Sequence, residues 1–183
     1  MVVDTDEQPG RSDIAKIPTL RPAFRKENGT ITAASSSSIS DGAAAVVLLS
    51  ADEAKTRGLK PLARIVAHAT HSQTPEWFTT APVGAIQKVL EKAGWSVGDV
   101  DLFEINEAFA VVAMTPMREL GIAHDKINVN GGACALGHPI GASGARLVVT
   151  LLHALEARGL KRGIATLCIG GGEATAIAVE RID

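Results

Sequence analysis

The chain is expected to be an α/β protein: a mixed sheet built from βαβ units and finished by an antiparallel hairpin. Three observations predict this. Strand-like apolar runs alternate with amphipathic runs of helical length, as in βαβ units. The last two strand-like runs, Gly163 to Cys168 and Ala174 to Glu180, are separated by a glycine-rich turn too short for a parallel crossover. Of the 183 residues, 46% are apolar but only 3% aromatic, so Ala, Val, Ile and Leu must supply the core volume, which suits close layering of helices on a sheet.

Residues 1–19, with Asp4, Asp6, Glu7, Pro9, Gly10 and Pro18, lack periodicity and read as an exposed leading segment. The small-residue stretch Gly29 to Ser40, with four serines from Ser35 to Ser38, reads as a loop feeding Ala43 to Leu49. That continuous apolar run predicts a buried interior strand. Ser50 and Glu53 form a capping-box pattern that opens a short helix closed by Gly58. Leu62 to Ala69 reads as a strand. Thr79 or Thr80 caps a helix with Pro82 in its first turn, an Ile86/Val89/Leu90/Ala93 face and Gly94 at its end. Val100 to Ile105 is a strand and about Asn106 to Leu120 a helix, kinked or interrupted by Pro116. The strongest helix is Ala142 to Arg158, with a Leu147/Leu151/Leu155 stripe, a second stripe of Val148 and Leu152, and Gly159 beyond it.

A formal charge of −2 offers no basic face for nucleic acid or an anionic membrane. No apolar run approaches the ~20 residues a spanning helix needs, and the polar, acidic start is not a secretory signal. Two cysteines build no disulfide framework and match no zinc spacing. A reducing, cytoplasmic setting is the default.

Reactive residues collect in three segments: Glu104 to Phe109, Asn130 to Arg146 and Cys168 to Gly172. Sites in α/β sheets form at the carboxyl ends of strands. Five glycines between Gly131 and Gly144 let the backbone approach a ligand, yet they fit neither a dinucleotide fingerprint nor a phosphate loop. His138 stands just before a helix N-terminus, whose positive end disfavours imidazolium and leaves a neutral ring able to accept a proton. Cys168 precedes three glycines whose N–H groups can converge, a setting that lowers a thiol's pKa and also makes an oxyanion hole. Cys134, between alanines, reads as filler. Asn106 reads either as a helix cap or as an amide positioning a water or a carbonyl. A histidine base, a thiol and N–H donors fit acyl or thioester chemistry. A metal held by Cys134, His138 and Cys168 would lack a fourth ligand.

The segments Asn106-Glu107-Ala108-Phe109, Gly137-His138-Pro139-Ile140-Gly141 and Cys168-Ile169-Gly170-Gly171-Gly172 resemble, in order and spacing, the three signature motifs of the C-terminal half of thiolases. The resemblance implies a thiolase-type layered fold. Residues 1–58 would be the tail of the loop domain and the end of the N-terminal domain, and residues 59–183 the C-terminal domain. It further implies that His138 deprotonates a nucleophilic cysteine and, with a water held by Asn106, stabilises one thioester oxyanion. Cys168 would be the acid/base at the acetyl methyl carbon, and the Gly170 N–H would line the second oxyanion hole. Ser37, with Ala108 and Phe109, would contact the pantetheine arm of coenzyme A.

The motif details resemble biosynthetic, acetoacetyl-CoA thiolases, which condense two acetyl-CoA into acetoacetyl-CoA and CoA without a further cofactor. A 3-ketoacyl-CoA thiolase of fatty-acid oxidation and a non-catalytic packing fragment are the alternatives. Two departures stand out. Ser38 replaces a glycine of the family's loop, and no residue corresponds to the acylated cysteine, so the chain is expected to be inactive alone and to need an N-terminal half. The complete protein is expected to be a homo-oligomer of lipid metabolism.

Overall fold

The computed structural model describes residues 2–182; Met1 and Asp183, the outer ends of the two expected units, lie outside the described residues. The first fifty residues hold one short helix, α1 (Glu7–Arg11), and 3₁₀ turns over Ile14–Thr19 and Ala33–Ser35. The strand expected over Ala43 to Leu49 is not formed. The segment has no regular structure, and Val47 and Leu48 are 87% and 70% exposed. A buried strand needs partner strands and cover on both faces, and no described strand lies beside this run.

Helix α2 (Ala51–Thr56) starts as expected: the Ser50 hydroxyl accepts from the Glu53 N–H at 3.1 Å, and Gly58 follows in the left-handed region at φ 64°. Then come β1 (Ala63–Ser72), α3 (Ala81–Ala93), β2 (Leu102–Ile105), α4 (Ala110–Leu120), the single turn α5 (Ala133–Leu136), α6 (Ser143–Ala157), β3 (Arg162–Ile169) and β4 (Glu173–Arg181). The four strands form one sheet in the order β1-β4-β3-β2. The β3–β4 hairpin is antiparallel, β1 adds antiparallel to β4, and β2 lies parallel to β3 in the register Leu102↔Gly163 to Ile105↔Thr166. The crossover from β2 to β3 makes this a mixed α/β sheet, as expected.

Helices cover both faces. Under α3 and α4 lies a core of Ile86, Val89, Phe103, Ile105, Val112, Ile164 and Cys168. Under α6 the Leu147/Leu151/Leu155 stripe meets Leu102, Ala165 and Val179. Each fully buried leucine is worth about 1.5–3 kcal/mol. The α6 layer sits close because β3 has no side chain at Gly163, where a Cβ would come within 2.7 Å of Leu151.

Two expectations about α4 fail. Of the expected kink or interruption at Pro116, the interruption does not occur: the residue is buried within a continuous helix. The helix also begins at Ala110 rather than near Asn106, because Phe109 keeps extended geometry at φ −137°, ψ 151°.

Both sheet edges are occupied. Alongside β2, the Asn128 side chain accepts from the Ile105 N–H and donates to the Ile105 carbonyl, both at 2.8 Å. Along β1, Lys88 and Lys92 on α3 donate to the carbonyls of Thr70 and His68 at 3.3 and 3.1 Å. Among the described residues, no helix is long and apolar enough to cross a membrane.

Candidate active site

Asn106 is the first residue beyond β2, and its N–H donates to the Thr166 carbonyl of β3 at 3.0 Å. It is fully buried and does not cap α4, which rules out the helix-cap reading. Its side-chain Nδ2 lies 3.3 Å from Nε2 of His138, while its Oδ1 accepts from Arg146 at 3.5 Å. The guanidinium can only donate, so it sets the amide with its NH₂ towards the histidine.

The other ring nitrogen settles the tautomer. Nδ1 of His138 lies 2.6 Å from Oγ of Ser143, whose own proton goes to the Pro139 carbonyl at 3.0 Å. Ser143 therefore accepts, Nδ1 carries the hydrogen, and Nε2 presents a lone pair to Asn106. Burial, and then the charge of Arg146, hold the imidazole below its ordinary pKa of 6.5. The neutral ring was expected. The causes seen here are desolvation and a guanidinium, in that order.

Ser37 meets Ala108, another of the residues expected to contact coenzyme A. Its N–H and its hydroxyl both donate to the Ala108 carbonyl at 3.1 Å. Ser36 bridges to Phe109, and the Ser38 carbonyl accepts from the His138 N–H at 2.9 Å. The serine loop thus runs from the end of β2 to the histidine. At Ser40 it lies so close to Gly137 that a Cβ there would strike the Ser40 hydroxyl, and Gly137 is left-handed at φ 90°. Phe109 packs edge-on against Phe24 and Phe78, with ring centroids 5.4 and 6.2 Å apart.

Cys168 lies at the end of β3, in the core under α3 and α4, whereas His138 is held by the first turn of α6. Among the described residues no hydrogen bond joins the two. Burial pushes the Cys168 thiol up to about 11 from 9.0, which corrects the expectation of a stabilised thiolate. The apolar surroundings of Sγ outweigh the one N–H that lowers it, its own. Gly170 is exposed, and a Cβ added there would meet nothing within 4 Å. Gly172, at φ 98°, closes the hairpin by donating to the Ile169 carbonyl at 3.1 Å.

Cys134 is half-buried, with its thiol directed at the Glu107 carbonyl at 3.8 Å. Burial and the Glu107 charge push it up to about 11, in keeping with a filler role. Among the described residues, no group of three or more His, Cys, Asp or Glu could hold a metal ion.

Five participants escaped sequence reasoning. Ser143 and Arg146 share one face of the first turn of α6, a spacing that the expected helix already implied. Glu104 was visible as a charge inside an apolar strand; it is 1% exposed, and burial pushes its carboxyl up to about 7 against the opposing pull of Arg146. Glu107 accepts from Asn128 Nδ2 at 2.8 Å and from the Cys134 N–H at 3.0 Å, bracing α5 against the end of β2. For Asn128, left-handed at φ 47°, no local signal existed.

Residues 59–181 match the family described as thiolase, C-terminal domain, and residues 1–52 match thiolase, N-terminal domain. A probable acetyl-CoA acetyltransferase of Dictyostelium discoideum is 54% identical over 97% of this chain and 42% of its own length. The acetyl-CoA acetyltransferase of Chromobacterium violaceum is 59% identical over 88% of this chain and 41% of its own. The crystal structure of Acat5 thiolase from Ascaris suum in complex with coenzyme A superposes with a TM-score of 0.90 at 45% identity, covering 98% of this chain and 47% of that one. This chain therefore spans less than half the length of these relatives. With a family match over more than half of its residues, it belongs to the thiolase family.

Proposed function

We propose that this chain carries the histidine, the asparagine and the thiol–glycine segment of an acetyl-CoA C-acetyltransferase, which reversibly condenses two acetyl-CoA into acetoacetyl-CoA and CoA. The observation that carries the reading is the locked tautomer of His138, with Nδ1–H on Ser143 and Nε2 facing Asn106. Nε2 takes the proton of an attacking cysteine thiol, and the Asn106 amide, through a water, supports the charge on a thioester oxygen. Cys168 enters protonated, the form that returns a proton to the methyl carbon in thiolysis, and the Gly170 N–H faces the acyl oxygen. The Ser37 hydroxyl spends its hydrogen on Ala108 and keeps its lone pairs for an amide N–H of the pantetheine arm, beside the Phe109 wall. The names of the relatives support acetyl-CoA and acetoacetyl-CoA as substrates.

In this reading the nucleophile belongs to further thiolase polypeptide, with Cys134 turned to Glu107 and Cys168 acting as acid/base at the methyl carbon. The exposed run Val46 to Leu49 supports further thiolase polypeptide packing there, in a complete homo-oligomeric enzyme. Two free cysteines suit a reducing, cytoplasmic setting, and condensation of acetyl-CoA suits a place in lipid metabolism. The test is acetoacetyl-CoA thiolysis by the purified chain, alone and mixed with the preceding half of a relative. No turnover alone, turnover on mixing, and its loss in His138→Ala are expected. Turnover by the chain alone above the His138→Ala background, or none in any mixture, overturns the reading. Faster turnover of long 3-ketoacyl-CoA would favour the fatty-acid-oxidation type.

A further inference from the structure

We propose that Glu104 and Arg146 are positioning residues for the His138–Asn106 pair: the buried carboxyl holds the guanidinium, the guanidinium holds the Asn106 oxygen, and the amide NH₂ is thereby aimed at Nε2 of His138. The inference deepens the proposed function, because it explains how the two groups assigned to proton transfer and oxyanion support keep their orientation.

The geometry carries it. Glu104 sits on β2 facing α6, 1% exposed, with Oε1 buried and without a hydrogen-bond partner among the described residues. A buried charged side chain with an unsatisfied oxygen is costly, so its place in the strand asks for a reason. Its other oxygen lies 3.5 Å from one arm of Arg146, and the second arm lies 3.5 Å from Asn106 Oδ1. Both contacts are at the long limit of a hydrogen bond, so the planar fork is shared between two acceptors and fully seated on neither. Arg146 follows Ser143 by three residues on α6, so one helical turn holds both sides of the imidazole: Nδ1 directly, and Nε2 through Asn106.

A fork shared in this way responds to charge. The charged groups facing Glu104 are Arg146 from α6, Arg158 just beyond the end of α6, and Glu107 from the loop after β2; Arg146 also faces His138. While Glu104 is ionised, it holds the guanidinium on its own side. Once it takes a proton, near pH 7, the guanidinium is released towards Asn106 and its charge bears more fully on His138. The pair would then adjust the aim of the amide and the basicity of the ring together.

The test is NMR on the whole isotope-labelled chain without thioester, following the Asn106 side-chain NH₂ signals and the His138 ring signal against pH. In the unsubstituted protein the Asn106 signals should move through a transition near pH 7. Glu104→Gln should abolish that transition and leave the His138 midpoint, which lies below 6.5 where Glu104 already carries its proton, little changed. Arg146→Lys keeps the charge but not the fork, and should draw the two Asn106 proton signals together. Asn106 signals that stay flat from pH 6 to 8 in the unsubstituted chain overturn the proposal without any variant; so do folded variants with unchanged signals. Because no substrate is used, failure of the thiolysis assay leaves this result standing, and the reverse also holds.

Discussion

Ser143 and His138 stand five residues apart, on either side of Pro139, yet their side chains meet at 2.6 Å. The hydroxyl passes its hydrogen to the Pro139 carbonyl, so a tight turn before α6 decides which imidazole nitrogen is basic. Ser143 is fully buried, and His138 is half-buried.

Ser143→Ala should therefore act twice. Loss of the buried bond should lower stability in urea denaturation by about 1–2 kcal/mol. In the complemented enzyme, kcat should fall by about tenfold or more as the tautomer is released, while KM changes little. A kcat within twofold of the unsubstituted enzyme would remove Ser143 from the account.

Glu104 gives stability a pH dependence with a definite sign. Its folded pKa is about 7, raised from 4.5. Below pH 4.5 the group is neutral in both states, and above pH 7 it is charged in both. Stability should thus fall between these values as pH rises, by roughly 3 kcal/mol. His138 acts in the opposite sense, its lowered pKa removing stability as pH falls below 6.5. The difference between the unsubstituted chain and Glu104→Gln isolates the carboxyl. Parallel urea midpoints at pH 5, 6, 7 and 8 would contradict the burial argument.

Cys168 should be slow to alkylate. With its thiol at about 11 instead of 9.0, the thiolate fraction at pH 8 is about a hundredfold below that of the unfolded chain. Iodoacetamide labelling in a Cys134→Ala background, followed by mass spectrometry with and without urea, measures the ratio. Equal rates in both conditions would restore the activated thiolate.

The glycine turn separates two kinds of requirement. At Gly172, a left-handed residue whose Cβ would strike the Gln73 carbonyl, alanine should cost about 1–3 kcal/mol or more. At Gly170, where nothing stands within 4 Å, alanine should change stability by less than ~0.5 kcal/mol. It should nevertheless cut turnover of the complemented enzyme by about 100-fold through misplacement of the acyl group. A stability loss at Gly170 equal to that at Gly172 would make the turn a purely structural element.

The hairpin, the α6 stripe and the glycine helix ends were legible because their signals are local: Gly94 and Gly159 stop their helices with φ of 67° and 63° wherever the rest of the chain lies. The serine loop's link to Ala108 was not legible, because it joins residues 71 positions apart. Ala43 to Leu49 misled because a continuous apolar run reports a need for cover, not its presence. Cys168 misled because α3 and α4, distant in sequence, set its solvation. Asn128 was invisible because clamping β2 requires a partner 23 residues away.

The occupied edges of the sheet bear on how this protein behaves in concentrated solution. A growing cross-β assembly needs a free row of N–H and C=O groups on which to template the next strand. Asn128 plugs one row and the lysine pair Lys88 and Lys92 guards the other, each lysine also placing a hydrated charge where an incoming strand would lie. Self-association should therefore run through the bare stretch Val46 to Leu49, giving amorphous, apolar clustering rather than ordered fibres.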